Sequence, residues 1–147
     1  MSLTVRVEVD YRTGVPPWFT EKLWADLVGF TLASEQAVGD WQISIALVDE
    51  AEIVRLHSQF MNLPEPTDIL TFPYDDDLGQ GGDIAICVDM ASMHSEEHDI
   101  AIEWELCFLV VHGVLHLLEH DDQTDDMRGA MLSRQEQILD QWGKVSR

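Results

Sequence analysis

Residues 100–122 read IAIEWELCFLVVHGVLHLLEHDD. Ile102, Trp104, Leu106, Phe108, Leu109 and Val111 fall on every side of a helical wheel, so the segment predicts a helix over residues 100–118 that is buried all round and central to the fold. It is shorter than the roughly 20 apolar residues of a membrane span, and Glu103 and Glu105 oppose that use. Near its end His112 and His116 share one helical face, with Cβ atoms roughly 5–6 Å apart. Two imidazoles so placed can converge on one ion, and a catalytic zinc site needs a third protein ligand and an open position. On a straight continuation His120 would lie roughly 12 Å along the axis from His112, too far to share that ion. The chain therefore has to break after His116 and fold back. The polar run Glu119, His120, Asp121, Asp122 is where it does so, and Asp122 or His120 then supplies the third donor.

The segments around this helix alternate in period. Leu3–Asp10 sets Val5, Val7 and Val9 against Arg6 and Glu8, the pattern of a strand with one buried face. Residues 18–34 carry Leu23, Trp24, Leu27, Val28 and Leu32 at helical spacing, with Thr20 as a cap. Trp41–Val48 reads as a second strand, and Asp49 caps a helix bearing Ile53, Leu56 and Phe60. Asp68–Phe72 predicts a short strand stopped by Pro73, residues 74–82 a solvated turn, and Asp83–Asp89 a strand pairing with it as a hairpin. Asp125–Trp142 predicts a last helix through Met127, Met131, Ile138 and Leu139. The order predicts an α+β fold: a single mixed sheet of about four strands packed with about five helices, the central apolar one carrying the paired histidines. At 147 residues, without repeat or linker, residues 1–147 are expected to form one domain.

Composition narrows the function. With 8 basic against 28 acidic residues the formal charge is −20, yet 46% of residues are hydrophobic, so the acid sits on a folding chain and not on a disordered tail. Such a charge opposes binding to a polyanion at long range. Arg6 and Glu8 interrupt the first apolar stretch, which excludes a signal-peptide core there and predicts a soluble, cytoplasmic protein with no membrane contact. Cys87 and Cys107 lie in apolar segments without CxxC spacing and read as core residues. Trp18, Trp24, Trp41, Trp104 and Trp142 are dispersed and not interleaved with Lys or Arg, so they read as core and helix seams and not as base-stacking platforms. The run Asp75-Asp76-Asp77 lacks EF-hand spacing and reads as a solvated loop.

Three motifs resemble the bacterial YbeY family, metal-dependent endoribonucleases of ribosomal RNA maturation. His112-Gly-Val-Leu-His116-Leu-Leu-Glu119-His120-Asp121-Asp122 is similar to the family's H-G-x-L-H-L-x-G-Y-D-H, residues 66–73 (PTDILTFP) to P-T-D-V-L-S-F-P, and residues 82–87 (GDIAIC) to G-D-I-x-I-C. The resemblance places the family's first two metal ligands on His112 and His116 and its third, a histidine, on Asp122. A carboxylate can bind zinc at roughly 2.0–2.2 Å, but leaves the ion less positive and its water less acidic. His120, at the family's tyrosine, is the rival ligand. Glu119 stands where a glycine would ease a left-handed turn, and His57 and Met61 stand where the family carries asparagine and arginine.

The resemblance implies a zinc-dependent single-strand endoribonuclease in ribosomal RNA processing and ribosome biogenesis. It implies one divalent ion per chain, with ribosomal RNA and small-subunit ribosomal proteins or ribosome-associated factors as partners. Arg55 is the basic residue read as a substrate contact. Two other readings stay open. One is a non-catalytic ribosome-assembly module with a structural or vestigial metal site. The other is a zinc peptidase, which lacks the general base of H-E-x-x-H because that position is Gly113.

Overall fold

The computed structural model describes residues 2–75, 77 and 79–147. Among the described residues nine elements follow in chain order: β1 (Leu3–Tyr11), α1 (Glu21–Ser34), β2 (Gly39–Val48), α2 (Glu50–Met61), β3 (Ile69–Pro73), β4 (Gln80–Cys87), α3 (Val88–Glu97), α4 (Ile102–Leu117) and α5 (Asp125–Trp142). The four strands form one mixed sheet in the order β1-β2-β4-β3, with β1/β2 and β2/β4 parallel and β3/β4 antiparallel. This is the expected α+β architecture, with the expected hairpin, and four strands packed with five helices.

Period-two burial divides the sheet between two layers. Ile43, Ile45, Leu47, Ile84 and Ile86 face a large core shared with α1, α4 and α5, where Trp24, Leu27, Leu32, Leu106, Leu115 and Ile138 are fully buried. Val48, Leu70, Ala85 and Cys87 point to the other face and meet Ile53 of α2. Both helix starts read from capping residues occur: Thr20 Oγ accepts from Leu23 N at 3.1 Å, and an Asp49 carboxylate oxygen accepts from Glu52 N at 2.9 Å. As read, α4 is buried on most of its surface. Gly113 is where it meets the sheet, since a Cβ there would come within 2.9 Å of Ile84 Cδ1 and 3.2 Å of Ile69 Cδ1. That close approach brings the α4 histidines down beside β3.

Several details differ from the sequence expectations. The strand expected over Asp83–Asp89 starts earlier, at Gln80, and ends at Cys87, where α3 begins. Trp18 is exposed, whereas the other four tryptophans are buried. Met127 is exposed too, because it lies in the first turn of α5, before that helix reaches the core at Met131. Cys87 and Cys107 are free and buried. Burial pushes the Cys107 thiol up to about 12, so it packs as a small apolar group. Within the Asp75–Asp77 run, Asp76 lies outside the described residues. No helix among the described residues is long and apolar enough to cross a membrane.

Candidate metal centre

The end of α4 builds the site. His112 and His116 sit one turn apart with ring centroids 4.6 Å from each other. The helix then closes in a Schellman turn: Glu119 N donates to His116 O at 2.9 Å and His120 N to Leu115 O at 3.0 Å, with Glu119 left-handed at φ 71°. The glycine-like turn therefore forms with glutamate in it. Beyond it, an Asp121 carboxylate oxygen accepts from the backbone N–H groups of Asp122 at 2.8 Å and Gln123 at 3.2 Å, and Thr124 caps α5. This locked loop swings Asp122 back over the histidines. Its Oδ2 lies 3.9 Å from His112 Nε2 and 3.5 Å from His116 Nε2.

One ligand atom from each of His112, His116 and Asp122 lies within 4.8 Å of the others, the one such group among the described residues. Tetrahedral zinc with bonds of about 2.0–2.1 Å sets its ligand atoms about 3.3 Å apart, so the two imidazoles and the carboxylate fit such an ion after small closing movements. His120 turns the other way: its Nε2 is 3.7 Å from Glu35 Oε2, and Glu35 is bound by Arg134 Nε at 2.8 Å. Burial pulls the His112 pKa below its ordinary value; the neighbouring His116 adds to this, while Gln135 and Asp122 oppose it. A neutral imidazole is the form a cation needs, so protons compete weakly there.

The three residues line a cleft of about 300 Å³ together with β3 and the end of α2. His57, Met61, Thr67, Asp68 and Thr71 complete its polar and soft wall, and no described lysine or arginine lines it. His57 is held by its Nδ1, 2.9 Å from Glu65 O. Arg55 does not reach the cleft; it is exposed, 3.6 Å from Glu52 and 3.3 Å from Gln59, because it lies two residues from His57 and so on another side of α2. Sequence reasoning did not name Asp68 or Gln135 as site residues. Asp68 stood inside the quoted 66–73 motif. Gln135 gave no local signal, being 23 residues from the histidine it touches. The base position of H-E-x-x-H is blocked as well, since any side chain at Gly113 runs into Ile84 and Ile69 and not into the cleft.

Comparisons with known proteins bear on this geometry. A family model described as Endoribonuclease YbeY matches residues 12–143. Proteins named endoribonuclease YbeY from Rhodococcus opacus (strain B4) and Thermobifida fusca (strain YX) are each 32% identical to this chain, with 92% of it covered and 81% and 93% of the relatives. A solution structure from Thermotoga maritima superposes with a TM-score of 0.65 at 27% identity, covering 93% of this chain and 91% of that one. The match extends from the end of β1 to the end of α5, taking in both histidines, Asp122 and the cleft wall, and the chain belongs to the endoribonuclease YbeY family.

Proposed function

We propose that this chain is a zinc-dependent endoribonuclease of single-stranded RNA that acts in ribosomal RNA processing and ribosome biogenesis in the cytoplasm, with residues 1–147 as one functional domain. The observation that carries the proposal is the convergence of His112, His116 and Asp122 in an open cleft. These three residues hold one zinc ion. When bound, it supplies a nucleophilic water near neutral pH and offsets the charge that builds on a phosphodiester. Asp122 contributes a carboxylate in place of a third imidazole and so tempers that acidity. His57 keeps its Nδ1 on the Glu65 carbonyl, which can only accept, so the neutral ring carries its proton on Nδ1 and leaves Nε2 as an acceptor.

One observation favours a non-catalytic assembly module with a structural metal: a cleft with no described lysine or arginine in its lining, on a chain of charge −20. Delivery of RNA by small-subunit ribosomal proteins or ribosome-associated factors reconciles that charge with catalysis. The test is bound zinc and cleavage of a single-stranded RNA oligomer, measured for the parent and for His116→Ala. The endoribonuclease reading expects one zinc per chain, cleavage abolished by chelation, and loss of both in the variant. Stoichiometric zinc without cleavage supports the assembly module. Cleavage that survives His116→Ala refutes the metal mechanism.

A further inference from the structure

Gln135 is the polar side chain on α5 that points into the core, and it has no exposed surface. Both ends of its amide are bonded to α4: Nε2 donates to Phe108 O at 3.2 Å, and Oε1 lies 3.0 Å from His112 Nδ1. The Phe108 carbonyl can only accept, so it fixes which end of the amide faces it. Flipping the amide would put two oxygens face to face and leave a buried N–H against the imidazole. With the orientation settled, Oε1 is an acceptor and His112 Nδ1 must be the donor. The neutral His112 ring then carries its proton on Nδ1 and leaves Nε2 bare. Nε2 is the nitrogen that faces Asp122, at 3.9 Å, beyond hydrogen-bond reach, so Asp122 offers no hydrogen bond that would favour the opposite tautomer.

We infer that Gln135 is a positioning residue that sets the His112 tautomer and aims its Nε2 lone pair into the cleft before any cation arrives. The inference rests on the metal reading above for its use, and on the two hydrogen bonds for its existence. A single rigid element serves two ligands by this means: the start of α5, capped by Thr124, anchors the loop bearing Asp122, and Gln135 three turns on anchors His112. Preorganisation of this kind lowers the ordering cost of binding, and loss of such an outer partner typically costs about 10–100-fold in metal affinity.

The experiment uses the full chain, metal-free, labelled with 15N and held near pH 8. Long-range proton–nitrogen correlation reads the His112 tautomer directly. The parent is expected to show the proton on Nδ1 alone. Gln135→Met, close in length but unable to accept, is expected to give a mixture of tautomers and a zinc affinity weakened about 10–100-fold by competition with a chromogenic chelator. Gln135→Glu, which can accept from the same N–H but sets a second oxygen against the Phe108 carbonyl, is expected to restore the Nδ1 tautomer without restoring the full affinity. A parent His112 protonated on Nε2 overturns the inference, whether or not the variants fold. So does a Gln135→Met protein with unchanged tautomer and unchanged zinc affinity. A parent that shows the Nδ1 tautomer but binds no zinc leaves the positioning intact and refutes the metal reading instead.

Discussion

Glu119 is the residue at which this site departs most from easy backbone chemistry, and its replacement by glycine tests how the metal loop is held. Its φ of 71° places a side chain in the left-handed region, at the position that closes α4 in a Schellman turn. A left-handed residue with a Cβ costs about 1–2 kcal/mol, and glycine gives back about 0.5–1 kcal/mol of this through its freer unfolded chain. Glu119 also puts a negative charge beside the negative end of the α4 dipole, unfavourable by a few tenths of a kcal/mol at an exposed position. Glu119→Gly is therefore expected to stabilise by about 1 kcal/mol. At about 2.1 cal/mol/K of unfolding entropy per residue, a chain of 147 residues gains about 3 °C in Tm for that energy. The assay is thermal unfolding of the metal-free protein by circular dichroism, with Glu119→Ala alongside. Alanine removes the charge but keeps the Cβ, so it should recover only the few tenths. Equal gains from alanine and glycine would refute the backbone argument, and no gain from either would refute both.

Two further predictions concern charge. Met61→Arg adds a cation to a cleft wall with none among its described residues, so RNA affinity should rise at low salt and the slope of log affinity against log salt should steepen by about 0.7; an unchanged slope in anisotropy titrations with single-stranded RNA would mean the strand does not pass this end of α2. Burial raises the Glu105 pKa, an effect that His94 only partly opposes. A carboxyl whose folded-state pKa exceeds its unfolded value binds its proton more tightly when folded, so it destabilises the fold as pH rises above the unfolded value. Glu105→Gln should accordingly melt above the parent at pH 7, with the gap closing as the pH falls to about 4; a gap independent of pH would place the effect in packing.

The parts of this molecule that were legible in its sequence are those in which one element carries its own signal. The apolar girth of α4, the alternation in β1 and β2, and the capping residues Thr20 and Asp49 are local, and each element lies within a few residues of where its pattern puts it. α3 escaped because its buried positions are Val88, Ala91 and Ser95, small or polar groups with little contrast against the exposed face. Its cap, Cys87, makes no side-chain hydrogen bond, and the Ile84, Ile86, Val88 alternation runs straight into it. In the site, His112 and His116 were a spacing and could be read. Which of Asp122 and His120 stands beside the two imidazoles follows from the left-handed turn at Glu119 and from Glu35, the C-cap of α1, which faces His120 from 85 positions away in the chain. Gln135 belongs to the same class, a contact made by packing α5 on α4, with nothing in its neighbours to announce it.

On the proposed reading, the same geometry says how the cleft must treat RNA. A divalent cation held by two neutral imidazoles and Asp122 keeps one net positive charge, and Asp68, on the same wall, offsets it. With Met61 in place of a guanidinium, a phosphodiester enters a cleft of no net charge on a strongly acidic protein, where neither counterion release nor long-range steering draws it in. Chemistry once the strand is bound depends on short-range donors and on the cation, and these are little affected by the distant acid, because exposed charges are screened beyond a Debye length of about 8 Å. The penalty therefore falls on capture and not on turnover. Such a nuclease works at low kcat/KM on free oligomers through a high KM, and recovers when a bound partner raises the effective concentration of the strand. Met61→Arg and the addition of ribosomal particles should thus act on the same parameter, both lowering KM with kcat nearly unchanged. A variant or particle that raised kcat alone would locate the deficit in the reacting groups, His57 and the three ligands, and not in the charge of the chain.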